Sequence, residues 1–208
     1  MRELTLSDKK ILIYRIIFAG LSWFTLIASA IYYSISYGVF LPWFNQFKSF
    51  TMQTNLMITI WLTLAIIWHK KPETLNKITG PLKGALTLYI TITFLFFAVF
   101  LSFLYTPTGF AAYTNLIFHY ILPIAFMIDW VLTENKIKYR WNYLLYWIIY
   151  PIGYVVFVFI HGAFTGDYLY YFLDISALGI LAFAVIPFLV LLGLIIGFVY
   201  IFINRKRT

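Results

Sequence analysis

Seven polar residues stand out in a chain that is otherwise 63% hydrophobic: Thr51, Gln53, Thr54 and Asn55 in one run, then His119, His161 and Asp174. A threonine hydroxyl is a poor nucleophile until a base takes its proton, and a neutral imidazole within hydrogen-bond reach is the usual remedy. Thr51 and His119 therefore form a candidate pair for attack on an ester carbonyl. Gln53, Thr54 and Asn55, with backbone amides at the start of their helix, are candidates to support an oxyanion or a substrate. His161 and Asp174 are candidates to orient the histidine or a polar headgroup. Each residue has a plainer reading as well. A threonine at a helix start commonly caps it or bonds back to its own backbone, a histidine can be a satisfied interhelical partner, and Asp174 suits a first-turn acid.

The elements that must position these groups follow from the charges. Only 11% of the residues are charged, against about a quarter in ordinary soluble domains, and mean hydropathy is +0.90. Thirteen of the fifteen Lys and Arg residues fall into four clusters: Arg2, Lys9 and Lys10; Lys70, Lys71, Lys77 and Lys83; Lys136, Lys138 and Arg140; and Arg205 to Arg207. Cytoplasmic flanks of membrane helices collect such residues. Two apolar runs separate each cluster from the next, so six crossings are expected, with both termini cytoplasmic and only Lys48 on the far side. The basic excess of +8 hugs helix ends, which points to topology and anionic lipid headgroups and away from nucleic acid.

The expected spans are 11–37, 50–68, 84–105, 115–132, 143–164 and 172–203. Each reaches the roughly 20 residues needed to cross about 30 Å of hydrocarbon, where only helix satisfies the backbone. The expected fold is all-α, a single six-helix integral membrane domain with short loops, near 41–49, 106–114 and 166–171 on the far side. Ala28-Ser29-Ala30 resembles a signal-peptide cleavage site, but the apolar run continues through Ile31, Tyr32 and Tyr33, so an uncleaved first helix is expected. Pro123, Pro151 and Pro187 fall inside spans and favour kinks.

In this topology the seven polar residues converge at one depth, in the outer half of the membrane, from four helices. Ionisable or strongly polar groups there are functional candidates, because a central carboxylate costs about 2.5–3.5 kcal/mol to insert. Spans 2, 4 and 6 all begin on that side, and their positive N-terminal ends favour an oxyanion near Thr51, a neutral imidazole at His119 and a carboxylate at Asp174. Asp129 lies ten residues beyond His119, about 15 Å along a helix. It belongs to the inner side, paired with Arg140 or Arg15. The absence of cysteine excludes disulfides and thiolate metal sites, and three scattered histidines make no metal motif. Neither a metal nor an organic cofactor is expected.

Phe50-Thr51-Met52-Gln53-Thr54-Asn55-Leu56 resembles the F-x-T-x-x-N/D-L helix start of the androgen-induced-gene and androgen-dependent TFPI-regulating protein family, including its small bacterial six-helix relatives. His119-Tyr120-Ile121-Leu122-Pro123 resembles that family's histidine before Leu-Pro. Gly153-Tyr154, His161, Thr165-Gly166 and Tyr170-Tyr171-Phe172-Leu173-Asp174 resemble its G-Y…H-x-x-x-T-G…Y-P-F-L-(D/E) stretch. The resemblance covers about half of the chain. It implies a multi-pass membrane hydrolase that cleaves lipid esters of the fatty acid ester of hydroxy fatty acid type, with Thr51 and His119 as the catalytic pair. His119 stands one residue nearer the proline than in the animal proteins, and Tyr171 replaces a common proline.

The expected function is thus a lipid ester hydrolase in a cell membrane, bacterial by this resemblance, with membrane lipids and a lipid ester as its partners. The alternative is a non-catalytic lipid-binding protein or small transporter. Proton-coupled transport would need a polar path from His119 to Asp129, and the intervening residues are nearly all apolar.

Overall fold

The computed structural model describes residues 5–38, 45–134 and 137–208, with the side chains of 77 and 78 also left aside. Part of the expected 41–49 loop, together with Arg2 and Lys136, lies outside the described residues. No strand occurs among them. The long helices are α1 (Leu6–Tyr37), α2 (Phe50–Ile67), α4 (Leu82–Phe96), α6 (Leu122–Thr133), α7 (Tyr143–Thr165) and α9 (Leu181–Arg207). Shorter pieces are α3 (Pro72–Thr79), α5 (Gly109–Leu116) and α8 (Ile175–Leu178). A π-helical turn, Phe97–Leu101, extends α4, and another, Ile117–Ile121, joins α5 to α6. Six continuous helical stretches are thereby long and apolar enough to cross a membrane.

The chain divides into two compact units, Met1–Ile137 and Lys138–Thr208, where composition had marked no boundary. In the first unit α1 packs on α2, α2 on α4, α4 on α6, and α6 returns to α1. A capping box starts α1: Thr5 Oγ1 accepts from the Asp8 N–H, and Asp8 Oδ2 accepts from the Thr5 N–H, each at 3.1 Å. Gly38, at φ 69°, ends it in the left-handed conformation that glycine adopts without a Cβ penalty.

Hydroxyl groups inside these apolar helices need acceptors, and the helices supply them. Thr59, Thr63, Thr87 and Thr91 donate to the carbonyls of Asn55, Thr59, Lys83 and Thr87, four residues back. Others tie helices together. Ser22 meets Thr59, Trp23 Nε1 donates to Thr63 Oγ1 at 3.0 Å, and Thr54 meets Thr93 at 2.9 Å. Small polar side chains let helix backbones approach closely while sharing hydrogen bonds.

One end of this unit carries ions. Arg15 Nε donates to Asp129 Oδ2 at 2.7 Å and Arg15 Nη2 to Oδ1 at 3.1 Å, while Lys83 Nζ lies 2.7 Å from the same Oδ1. These pairs set the start of α1, the start of α4 and the end of α6 at a common level, so the helices alternate in direction. Asp129 therefore takes Arg15, one of its two expected partners. Lys83 departs from expectation. It is 2% exposed inside the unit and does not flank it, because Asp129 gives its ammonium a counter-ion there.

In the second unit α7 packs on α9. The Tyr139 N–H donates to Asn204 Oδ1 at 2.7 Å, Arg205 Nη1 donates to the Tyr139 carbonyl at 2.9 Å, and the Arg205 guanidinium sits over the Trp141 ring. The last span differs from its expected bounds. A 3₁₀ turn (Tyr171–Leu173) and α8 precede a break at Gly179, φ 55°, and α9 begins only at Leu181. Asp174 thus stands before that span and not in its first turn.

Candidate functional site

Thr51 is the second residue of α2. Ser49 caps that helix by accepting from the Met52 N–H at 3.2 Å. The cap fixes where the helix begins and so which way Thr51 points. The Ser49 cap takes the Met52 N–H, and the Thr51 backbone N–H lies in the same first turn, where donors face the N-terminal end. The Thr51 carbonyl is held from two sides. Asn55 Nδ2 donates to it at 2.9 Å and Thr54 Oγ1 donates to it at 3.1 Å.

His119 occupies the middle of the Ile117–Ile121 π-helical turn. Pro123 follows, lacking the N–H that an α-helix would direct at the His119 carbonyl. Widened turns of this kind recur at functional sites because one extra residue re-aims the side chains around it. Here the result is a close approach: Thr51 Oγ1 lies 3.2 Å from His119 Nε2. His119 Nδ1 lies 3.2 Å from the Asn115 carbonyl oxygen. A carbonyl only accepts, so Nδ1 carries the proton and Nε2 presents its lone pair to the Thr51 hydroxyl. Phe97, first residue of the other π-helical turn, stacks on the imidazole with ring centroids 3.8 Å apart and planes 22° from parallel. The ring is thus fixed by a hydrogen bond on one edge and an aromatic face on the other.

Asn55 joins the two helices that carry the pair. It is fully buried, and its Nδ2 donates to Thr51 O and, at 3.0 Å, to Phe118 O. Turning its amide over would aim an oxygen at two carbonyls, so the orientation is settled by its neighbours. Both amide hydrogens are engaged, which removes Asn55 as a side-chain donor to an oxyanion. Gln53 Nε2 donates to the Phe47 carbonyl at 2.7 Å, and Thr54 shares its hydroxyl with Thr93 and the Thr51 carbonyl. These three expected substrate-supporting residues thus hold the start of α2 in place. The Thr51 N–H remains the donor beside the hydroxyl.

His161 and Asp174 belong to the second unit. His161 Nδ1 faces the Asp167 carbonyl at 2.9 Å at the surface. Asp174 caps α8: its Oδ1 accepts from the Ser176 hydroxyl at 2.5 Å and from the N–H groups of Ser176 and Ala177 at 2.8 and 3.1 Å. The Ser176 hydroxyl, foremost among these donors, holds the Asp174 carboxyl below the usual carboxylate range. The orientation of His119 comes from the Asn115 carbonyl, within the same unit.

Sequence reading passed over Asn115, Phe97 and Ser29. The i−4 spacing of Asn115 to His119 was the available signal for the first. Ser29 is 1% exposed, and among the described residues its hydroxyl has no partner, nor do Asn55 Oδ1 and Asn115 Oδ1. It shares a face of α1 with Ser22 and Thr25, which meet Thr59 and Tyr113. Among the described residues no three His, Asp or Glu side chains gather as a metal ion would need.

Fold and site together define a class: an all-helical chain, with six helices compatible with a multi-pass membrane protein and a paired threonine and histidine near one end of its first unit. Compared with family models, with curated proteins and with solved structures, the chain matches none.

Proposed function

We propose that this chain is an integral membrane ester hydrolase acting on lipid esters, with Thr51 as nucleophile and His119 as general base. The observation that carries the reading is the 3.2 Å approach of Thr51 Oγ1 to a His119 Nε2 whose other nitrogen is tied to the Asn115 carbonyl. His119 takes the Thr51 proton as Oγ1 attacks the ester carbonyl carbon. The developing oxyanion turns to the Thr51 N–H and the positive end of α2. His119 then gives the proton to the departing alcohol, leaving an acyl-threonine. It next takes a proton from water, whose oxygen attacks the acyl carbon, and returns that proton to Thr51 Oγ1 as the bond to Thr51 breaks and the acid is released.

The membrane setting rests on the six apolar helices and on the large apolar side chains they expose, such as Ile17, Phe24, Ile31, Leu145, Ile149 and Leu191. With the Lys-rich ends cytoplasmic, both termini lie inside and the pair lies in the outer leaflet, where an acyl chain enters sideways from lipid. The hydroxy-fatty-acid type of ester comes from the sequence resemblance alone.

A second reading has its own support. The unpartnered oxygens of Asn55 and Asn115 also suit a site that recognises a donor-bearing headgroup without chemistry. Labelling by a fluorophosphonate probe and turnover of a para-nitrophenyl ester separate the two. The esterase reading expects wild type to react and Thr51→Ala and His119→Ala to be inert. Equal reaction, or none in all three, leaves the binding reading.

A further inference from the structure

We infer that a cavity at the Lys-rich end of the first unit, remote from Thr51 and His119, is a binding site for a phosphate ester. The cavity measures about 220 Å³ and is lined by Arg15, Trp61, Lys70, Leu75, Lys83 and Glu134 among others. Pockets that enclose drug-sized ligands run to about 300–1,000 Å³, so this one suits a small group.

Its polar wall is rich in donors. Two carboxylates also line it: Asp8 accepts from the Thr5 N–H and hydroxyl, and Glu134 lies 3.7 Å from Lys83. Asp129 is taken by Arg15 and Lys83. Trp61 is 4% exposed, yet its Nε1–H has no acceptor among the described residues. Its ring has two cations beside it, the Arg15 guanidinium 5.2 Å and the Lys83 ammonium 4.7 Å from the centroid. Arg15 uses Nε and Nη2 on Asp129 and Thr133, leaving Nη1. Lys70, at the rim, has no ion-pair partner among the described residues.

A buried N–H without an acceptor is a standing cost, and a bound anion relieves it. Donors on three side chains, two of them cationic, call for a group that offers several oxygens at once, as a phosphate does. Ile11, Leu12, Leu75 and Leu132 supply an apolar wall that a bare ion would not use. An ester with a carbon arm uses both walls. The same chemistry arises from a phospholipid headgroup or from a soluble phosphate monoester.

The test measures binding to the full chain, purified in a non-ionic detergent, by microscale thermophoresis. One arm titrates dihexanoyl phosphatidylglycerol and the other glycerol 3-phosphate. Saturable binding of the lipid alone assigns the headgroup, and comparable binding of both assigns a soluble ester. Trp61→Phe keeps an aromatic face for the two cations but is smaller and lacks the N–H, and Lys70→Ala alters an exposed side chain. Each is expected to weaken binding about fivefold, the loss of one hydrogen bond or exposed charge contact. No saturation with either probe overturns the inference, as does wild-type affinity in folded Trp61→Phe or in Lys70→Ala.

Discussion

Replacing Asp129 with Asn tests the charge arrangement that fixes the Lys-rich end of the first unit. Asp129 is fully buried, the Lys83 side chain is 3% exposed and that of Arg15 12%. Removing one partner from a buried ion pair typically costs about 3–5 kcal/mol, because the other charge stays without compensation. Two contacts soften the loss here: Glu134 at 3.7 Å from Lys83, and the Trp61 ring beside both cations. The lower figure, about 3 kcal/mol, is therefore expected. Lys83→Met should cost less, about 1 kcal/mol, since the remaining Arg15–Asp129 pair is bidentate and nearly complete. The double variant Asp129→Asn/Lys83→Met removes the stranded ammonium, so it should be more stable than Asp129→Asn alone. Equilibrium unfolding of the detergent-solubilised chain in sodium dodecyl sulfate, followed by circular dichroism, gives all three values. Additive losses in the double variant, or an Asp129→Asn no worse than Lys83→Met, would refute the reasoning.

Asn55→Leu removes a donor from the Phe118 carbonyl, at about 1–3 kcal/mol for a buried acceptor left unsatisfied, while the Thr51 carbonyl keeps the Thr54 hydroxyl. It should lower stability in the same unfolding assay and reduce any ester turnover by loosening His119 relative to Thr51. Gly162→Ala puts a Cβ 2.3 Å from the Tyr168 ring, so it should destabilise the second unit, and adding Tyr168→Ala should restore much of the loss. The Asp174 carboxyl titrates below its ordinary range, so its capping of α8 is complete above the unfolded carboxylate value and lost as pH falls through the lowered folded one. Protection of the Ser176 and Ala177 amides, taken relative to intrinsic exchange at each pH, should fall in acid in wild type and show no such step in Asp174→Asn.

Much of the architecture could be read from residue order. Basic clusters at intervals of two apolar runs pointed to six long apolar helices, the conformation in which a backbone can bond itself without water. Residue types at one depth marked Thr51 and His119 for the same reason: polarity is expensive where it cannot be hydrated. Helix ends were less legible. The break at Gly179 that separates Asp174 from α9, and the short α3, depend on local turns that hydropathy averages away.

Composition and spacing by themselves determined the class of fold and the number of long helices. Only tertiary structure decided which atoms meet. It gave Asn55 to two carbonyls, buried Lys83 beside Asp129, seated Phe97 on the imidazole and chose the Asn115 carbonyl to settle which nitrogen of His119 holds the proton. Those outcomes turn on the π-helical turns and on the register between neighbouring helices. One residue of slip rotates a side chain by about 100°, which linear spacing does not reveal.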